Sequence, residues 1–293
     1  AGMAALMFED QVWPKRCGHM AGKSCIPAEE MVQKVKAAVD APRDNDFCIV
    51  SRTDAAGPHG VDEAIRRLNM YAEAGADVVL GARREERLPD TGKLVEAAGR
   101  KYAAKKTDVT KPEECDALIA FAIEKFGKVD ILVNNAGVGT AVPSTKETPE
   151  QYRNVIDVNL MGAYWMAQAF ARANKNGGAI VNISSVLGIH PQGLPQAAYA
   201  SSKAGLIGLT RDLAAQWTGR KGIRVNALAP GFFPSEMSDQ LPKEMVAMLE
   251  QFTPAGRLGD PAELAATLIW LVSDAASYVT GITVPVDGGL VMP

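Results

Sequence analysis

The fold is decided by the stretch VDILVNNAG, residues 129–137, an apolar run that ends in two amides and two small residues. Such a run predicts a strand buried on both faces, because a parallel sheet covered by helices has no polar face. Two later runs, AIVNISS (179–185) and IRVNALAPG (223–231), likewise end in polar or small residues. The sequence thus predicts parallel strands whose ends meet at one sheet edge, where open α/β sheets bind ligands.

Outward from these runs, strand-like and helical patterns alternate almost throughout the chain. Alternation of this kind produces βαβ units, so we expect an α/β fold with a doubly wound parallel sheet, with an α/β barrel as the competing architecture. The predicted strands are Leu6–Glu9, Phe47–Ser51, Asp77–Gly81, Val129–Asn134, Ala179–Ile183, Ile223–Leu228 and Thr283–Val286. The predicted helices are Ala28–Asp40, Val61–Ala74, Pro112–Phe126, Pro149–Ala173, Ala197–Gly219 and Pro261–Ser273.

Composition and charge exclude several classes of protein. Of the 293 residues, 47% are hydrophobic and 22% charged, values typical of a folded globular chain. A formal net charge of -3 argues against binding to nucleic acid or to a membrane surface, so we expect neither partner. No apolar run is long enough to cross a bilayer, the start lacks a basic signal-peptide region, and the four cysteines form no CxxC pair. These features predict a cytoplasmic protein with reduced thiols.

The strongest chemical pattern is Tyr199-Ala-Ser-Ser-Lys203. Residues four apart lie on one face of a helix, so the phenol and the ammonium project together. A nearby cation stabilises the phenolate, lowers the pKa of the tyrosine and makes it a general acid/base. The pattern alone is also typical of a solvated helix face. Its interpretation therefore depends on Ser184 and Ser185, which end a predicted strand upstream.

Several motifs in order resemble the short-chain dehydrogenase/reductase family. They are NNAG (134–137), Ser185, YxxxK (199–203), PG (230–231) and TGITVPVDGG (280–289). The resemblance extends from about Gly75 to the end of the chain. It implies a single Rossmann-like domain at residues 47–293, preceded by an extension at residues 1–46.

The resemblance also implies roles for individual residues. Tyr199 would exchange a proton with the substrate oxygen, while Lys203 lowers the tyrosine pKa and holds the ribose. Ser185, rather than Ser184, would hydrogen-bond the substrate carbonyl, and Asn159 would hold a water in a proton relay. The residues that would bind the coenzyme, besides Tyr199 and Lys203, are Arg83, Asp108, Val109, Asn135, Ala136, Gly137, Pro230, Gly231 and Ser235.

The same resemblance implies a coenzyme, a substrate class and an assembly. Ala82 occupies the strand-end position where an acidic residue selects NAD, and Arg83 follows it, which favours NADP while NAD remains the alternative. The substrate would be a small carbonyl compound or alcohol. Family members commonly pair through two long helices, here Pro149–Ala173 and Ala197–Gly219, so we expect a homodimer or homotetramer.

One motif of the family is missing. The first strand should lead into TGxxxGxG, whose glycines let the helix N-terminus meet the pyrophosphate. Here only Gly57 and Gly60 stand in that segment, and Pro58 removes a backbone donor between them. A second hypothesis is therefore a catalytically impaired scaffold that binds coenzyme poorly.

The segment in its place resembles the isocitrate lyase/phosphoenolpyruvate mutase family of (β/α)8 barrels over residues 1–79. KRCGH (15–19) is similar to that family's signature, with Cys17 at its catalytic position, and Glu9 and Arg52 match its metal and substrate site. The chain thus resembles a chimera joined at AEAGADVV (72–79). A third hypothesis is a metal-dependent carbon–carbon lyase based on Cys17. An unreactive thiol is the favoured interpretation of this residue, because a lyase needs all its metal ligands on one barrel rim.

Overall fold

The computed structural model describes residues 5–9, 48–52, 77–97, 100–190, 193–234 and 243–291. The chain divides into two compact units: Ala1–Leu80 with Arg87–Ala104, and Gly81–Glu86 with Lys105–Pro293. The predicted helices Ala28–Asp40 and Val61–Ala74, and with them Gly57 and Gly60, lie outside the described residues.

Two strands of the first unit form a parallel pair. Strand β1 (Ala5–Glu9) is hydrogen-bonded to β2 (Cys48–Arg52), with Ala5 opposite Cys48 and Glu9 opposite Arg52. The pairing joins a strand of the predicted extension to the strand that we expected to open the dehydrogenase sheet. The division at residues 46 and 47 therefore stays a prediction.

The next two strands form a second sheet. Strand β3 (Val78–Ala82) is hydrogen-bonded to β4 (Tyr102–Lys106), and a short 3₁₀ turn and helix α1 (Leu88–Ala97) connect them. Helix α1 is absent from the predicted elements, whereas β3 lies one residue from its predicted position.

Four parallel strands form the central sheet of the second unit, which confirms the predicted fold class. In spatial order they are β5 (Ile131–Asn134), β6 (Gly178–Ile183), β7 (Ile223–Pro230) and β8 (Thr283–Val286). Strand β5 begins two residues after the predicted start, and β7 continues two residues beyond its predicted end.

Helices connect these strands, and their ends carry clear signals. Helix α2 (Pro112–Phe126) starts with Pro112 and ends at Gly127, whose φ of 80° suits glycine. Capping boxes at Thr148 and Asp260 start α3 (Pro149–Ile156) and α7 (Pro261–Val272). The remaining α-helices of the described residues are α4 (Gly162–Ala173), α5 (Ala197–Lys221) and α6 (Lys243–Phe252).

One predicted helix is interrupted. The expected helix Pro149–Ala173 is divided into α3 and α4 by a π-helical segment, Asp157–Met161. Inserted π-turns add a residue to the helix, and they recur at functional sites. Here the segment contains Asn159.

Helices cover both faces of the central sheet at β6 and β7, but Ile131 and Val133 of β5 are exposed, so the prediction that β5 is buried on both faces is wrong. Val181 of β6 and Leu228 of β7 pack against Leu271 of α7, and all three are fully buried. Asn182, the next residue of β6, projects to the opposite face and donates to Thr210 of α5 at 2.9 Å. The sheet is thus doubly wound.

A buried chain of polar side chains crosses this second face. Asn134 Nδ2 donates to Asn182 Oδ1 at 2.8 Å, and Asn182 Nδ2 donates to Thr210 Oγ1 at 2.9 Å. The Thr210 hydroxyl then donates to the backbone oxygen of Leu206 at 2.8 Å. Because each group has a partner, the chain avoids the penalty of unpaired buried polar atoms.

Candidate active site

Tyr199 and Lys203 lie in the first two turns of α5, as their spacing predicts. The Lys203 side chain crosses to the end of β6, where Nζ donates to the backbone oxygen of Ile183 at 2.7 Å. Its ammonium lies 5.5 Å from the centre of the Tyr199 ring. Lys203 is only 4% exposed, and burial lowers its pKa to about 8.

The two serines that end β6 have different surroundings. The Ser184 hydroxyl is buried and donates to the backbone oxygen of Lys203 at 2.9 Å, so it holds helix α5. The Ser185 hydroxyl accepts the backbone N–H of Leu187 at 3.2 Å and is hydrogen-bonded to Tyr199. The structure therefore places Ser185, not Ser184, beside the phenol.

The phenol does not have the lowered pKa that we expected from its neighbour Lys203. Burial raises the pKa of Tyr199 above its ordinary value, and the hydrogen bond from Ser185 offsets only part of that increase. The Lys203 ammonium is directed to the Ile183 oxygen. At neutral pH the resting tyrosine is therefore protonated and can act as a proton donor.

Asn159 is buried in the π-helical segment and is 1% exposed. Its Oδ1 accepts the Val138 N–H at 2.8 Å, and its Nδ2 donates to the Val138 oxygen at 2.9 Å. A further bond joins Nδ2 to Ser202 Oγ at 3.0 Å. The side chain thus holds the loop after β5, and its role in a water relay stays a prediction.

That loop is open to ligands. Asn135, Ala136 and Gly137 are exposed immediately beyond β5. A Cβ atom placed on Gly137 would lie 3.5 Å from Lys203 Nζ and 3.6 Å from Asn159 Oδ1. The backbone at Gly137 therefore faces the same space as the lysine.

The carboxyl end of β7 lies close to the segment that follows β8. Pro230 ends the strand, and the Gly231 N–H donates to the Val286 oxygen at 2.9 Å. A Cβ atom on Gly231 would lie 2.8 Å from the Asp287 Cα, so only glycine fits this approach of two backbones. Ser235 lies outside the described residues.

The predicted adenosine end lies after β4. Asp108 Oδ1 accepts both the backbone N–H and the hydroxyl of Thr110, at 3.0 and 2.8 Å. Burial raises the pKa of Asp108, but these bonds and the charge of exposed Arg83 outweigh it, and the net pKa is lowered. Val109 packs against Gly162, where a Cβ atom would lie 2.6 Å from Val109 Cγ2.

Sequence reasoning missed two residues of the site. Gly188 follows Ser185 in a 3₁₀ turn and lies against the backbone of Lys203. Ser202 is fully buried, and its hydroxyl donates to the backbone carbonyl oxygen of Tyr199 at 2.7 Å. Its signal was the spacing from Tyr199, since three residues along a helix return to the same face.

Comparisons with known proteins agree with this geometry. A sequence model of the family described as enoyl-(acyl carrier protein) reductase matches residues 65–291. The chain is 38% identical to 3-oxoacyl-[acyl-carrier-protein] reductase FabG of Thermotoga maritima over 76% of this chain and 91% of that protein. A short-chain type dehydrogenase/reductase from Mycobacterium marinum superposes with a TM-score of 0.73 at 32% identity, over 76% and 89% of the two chains. The chain belongs to the short-chain dehydrogenase/reductase family.

This short-chain dehydrogenase/reductase is thus an NAD(P)-dependent oxidoreductase, in a family that acts on small molecules. It is 42% identical to 3beta-hydroxysteroid dehydrogenase 1 of Eggerthella lenta, over 80% of this chain and 90% of that protein. A gluconate 5-dehydrogenase from Burkholderia cenocepacia, solved in complex with NADP and tartrate, superposes with a TM-score of 0.70 at 35% identity over 76% and 90% of the chains. Within the described residues, no helix is both long and apolar enough to span a bilayer.

The N-terminal part of this dehydrogenase/reductase matches a second family. A sequence model described as phosphoenolpyruvate phosphomutase matches residues 1–119, so the two matched ranges share residues 65–119. Glu9 and Arg52, the predicted lyase positions, end β1 and β2 and lie opposite each other in register. Cys17 lies outside the described residues.

The described residues of the dehydrogenase/reductase fit the two ends of a nicotinamide dinucleotide. Lys203 would offer an ammonium to the ribose hydroxyls at one end, and Asp108 would offer a carboxylate to the adenine amino group at the other. Residues 135–137, which are exposed, would contact the adenosine side. The segment expected at the pyrophosphate, around Gly57 and Gly60, lies outside the described residues.

Proposed function

We propose that the chain interconverts a ketone and a secondary alcohol, with Tyr199 as the general acid/base and NADP as the preferred coenzyme. The observation that carries the proposal is the meeting of Tyr199, Ser185 and the buried Lys203 ammonium at the end of β6. A hydroxyl donor, a phenol and a desolvated cation form a set suited to proton exchange with a carbonyl oxygen.

In the direction of ketone reduction, the bound coenzyme supplies the hydride. Tyr199 gives its proton to the substrate oxygen, which becomes the alcohol, and the phenolate regains a proton from water. Ser185 accepts the Leu187 N–H, and its one hydrogen, which bonds Tyr199 in the resting site, can turn to the substrate oxygen. Lys203, held by the Ile183 oxygen, stabilises the phenolate that forms.

Arg83 supports the preference for NADP. It follows Ala82 at the end of β3, is exposed, and lies near enough to Asp108 for its charge to lower that pKa. A guanidinium at this position matches the 2′-phosphate, whereas an alanine offers no acceptor for a 2′-hydroxyl. The neighbour from Burkholderia cenocepacia, which binds NADP, adds support.

The names of the relatives support the substrate class. They refer to a 3-oxoacyl group, a 3β-hydroxysteroid and gluconate, which share a ketone or a secondary alcohol. The shared ketone or secondary alcohol is therefore the reacting group that we propose.

Coenzyme binding and turnover test the proposal together. We expect NADPH to bind more tightly than NADH when nicotinamide fluorescence is followed during titration of the full chain. Tyr199→Phe should retain NADPH affinity within about twofold and lose turnover of a ketone panel by about a thousandfold, because only the proton donor is removed. Tyr152→Phe, an exposed tyrosine, is the matched control.

Two outcomes would contradict the proposal. Failure of NADPH to bind at millimolar concentration would favour the impaired-scaffold hypothesis. Turnover by Tyr199→Phe close to that of the wild type would remove Tyr199 from the mechanism.

A further inference from the structure

Ser202 is a buried serine with more partners than a helical serine normally has. It is 0% exposed, and its Oγ donates to the backbone carbonyl oxygen of Tyr199 at 2.7 Å. A bond from serine to the carbonyl of the preceding turn is common in helices. The bond that it receives from Asn159 Nδ2, at 3.0 Å, comes from the π-helical segment and is not part of that local pattern.

One backbone group fixes the direction of all these bonds. The Val138 N–H can only donate, and it meets Asn159 Oδ1 at 2.8 Å. Asn159 Nδ2 is therefore directed to the Val138 oxygen at 2.9 Å and to Ser202 at 3.0 Å, which uses both of its hydrogens. The Ser202 hydroxyl must accept from Asn159, and its single hydrogen is donated to the backbone carbonyl oxygen of Tyr199.

The result is an unbroken chain of hydrogen bonds from Val138 through Asn159 and Ser202 to Tyr199. Val138 follows directly on the exposed residues 135–137, which we assign to coenzyme binding. Tyr199 carries the phenol that we assign to proton transfer. These hydrogen bonds therefore connect the backbone of the proposed coenzyme-binding loop to the backbone of Tyr199, which we propose to act on the substrate.

We propose that Ser202 is a positioning residue, which through Asn159 sets the place of Tyr199 relative to the coenzyme-binding loop. This inference rests on the proposed function for its catalytic meaning. Bonds that hold a reacting group within a fraction of an ångström govern rate more than affinity. Removing Ser202 should therefore slow the chemical step and leave coenzyme binding unchanged.

Ser202→Ala tests this inference, with Ser201→Ala as the matched control. Ser201 is the adjacent serine of the same helix and is exposed. Alanine preserves the helix, so the fold should survive the change. Per active site titrated with NADPH, we expect Ser202→Ala to lower kcat about tenfold while the Kd for NADPH stays within about twofold. The isotope effect from deuterated NADPH should rise, and Ser202→Thr, which keeps the hydroxyl, should restore part of the rate.

Hydrogen exchange of the Val138 amide gives a second reading without coenzyme or activity. Without Ser202, Asn159 loses one of its anchors, so the Val138 amide should exchange about tenfold faster in Ser202→Ala than in the wild type or in Ser201→Ala. Unchanged exchange would overturn the connection. Faster exchange with an unchanged kcat and isotope effect would overturn the positioning role. Absence of turnover in the wild type would overturn the proposed function, while exchange at Val138 would still decide whether the connection exists.

Discussion

Lys203 carries its charge in a place from which water is almost excluded. The side chain is 4% exposed, and burial lowers its pKa from 10.5 to about 8. A neutral amine would relieve the cost of burying an ion, whereas the bond to the Ile183 oxygen and the nearby Tyr199 ring favour the ammonium. The charge is thus retained at neutral pH but lost within a range that enzymes can be tested in.

We predict that NADPH affinity decreases as pH rises through about 8, because the folded pKa of Lys203 is lowered and the ammonium loses its proton there. Tyr199 cannot cause this decrease, since burial raises its pKa above the ordinary value. Fluorescence titrations from pH 6.5 to 9.5 should therefore show the same decrease in Tyr199→Phe. Lys203→Met should bind about tenfold more weakly at pH 7 and show no such dependence.

The position of Tyr199 and Lys203 on one helix face could be predicted from their spacing, but the pKa of Tyr199 could not. Spacing gives the face of a helix on which a side chain lies. It gives neither burial nor the carbonyl of Ile183, which comes from another element and takes the lysine hydrogen bond. The choice between Ser184 and Ser185 likewise depends on which hydroxyl the backbone of α5 meets.

At the scale of elements, the 3₁₀ turn Val186–Gly188 packs directly on the backbone of α5. A Cβ atom on Gly188 would lie 2.7 Å from the carbonyl carbon of Lys203 and 2.8 Å from the backbone nitrogen of Ala204. Backbone atoms cannot rotate away as a side chain can. The absence of a side chain at Gly188 therefore sets how closely the turn that follows Ser185 approaches the helix of Tyr199.

We predict that Gly188→Ala lowers the free energy of unfolding by about 1–3 kcal/mol and lowers kcat, because the turn or the helix must move. Gly208→Ala is the control, since a Cβ atom there meets nothing within 4 Å. This control should gain up to about 1 kcal/mol from helix propensity and keep its activity. Urea unfolding and steady-state kinetics measure both effects. Equal stability of the two variants would show that the close approach has no energetic effect.

The central strands and the helix starts were predictable, because buried apolar runs and capping residues act locally. The division of Pro149–Ala173 by a π-helical segment was not. Apolar periodicity continues through one inserted residue. The contacts of Asn159 with Val138 and Ser202, which come from distant elements, are visible only in the folded chain.

For the whole molecule, every described residue of the proposed site lies in Gly81–Glu86 or Lys105–Pro293. We predict that deleting residues 1–46 leaves the NADPH Kd within about threefold. The number of subunits in the expected homodimer or homotetramer should also stay the same, because the expected contacts through the long helices are retained. Light scattering and fluorescence titration measure these properties. Unfolding of the shortened chain would show that β1, paired with β2, is an integral part of the fold.

The buried amides of Asn134 and Asn182 have a consequence for how the strands find their alignment. Strands β5, β6 and β7 are largely apolar, so a shift in their register would replace one apolar contact with a similar apolar contact. The opposed amides remove that freedom. A shift of the register by one residue would place an amide in the apolar layer beneath α7. A shift by two residues would separate the two amides. Each buried amide left without a partner would lower the free energy of unfolding by about 1–3 kcal/mol. Two side chains thus act as an alignment mark, and the apolar residues around them can vary widely while the sheet still assembles in one way.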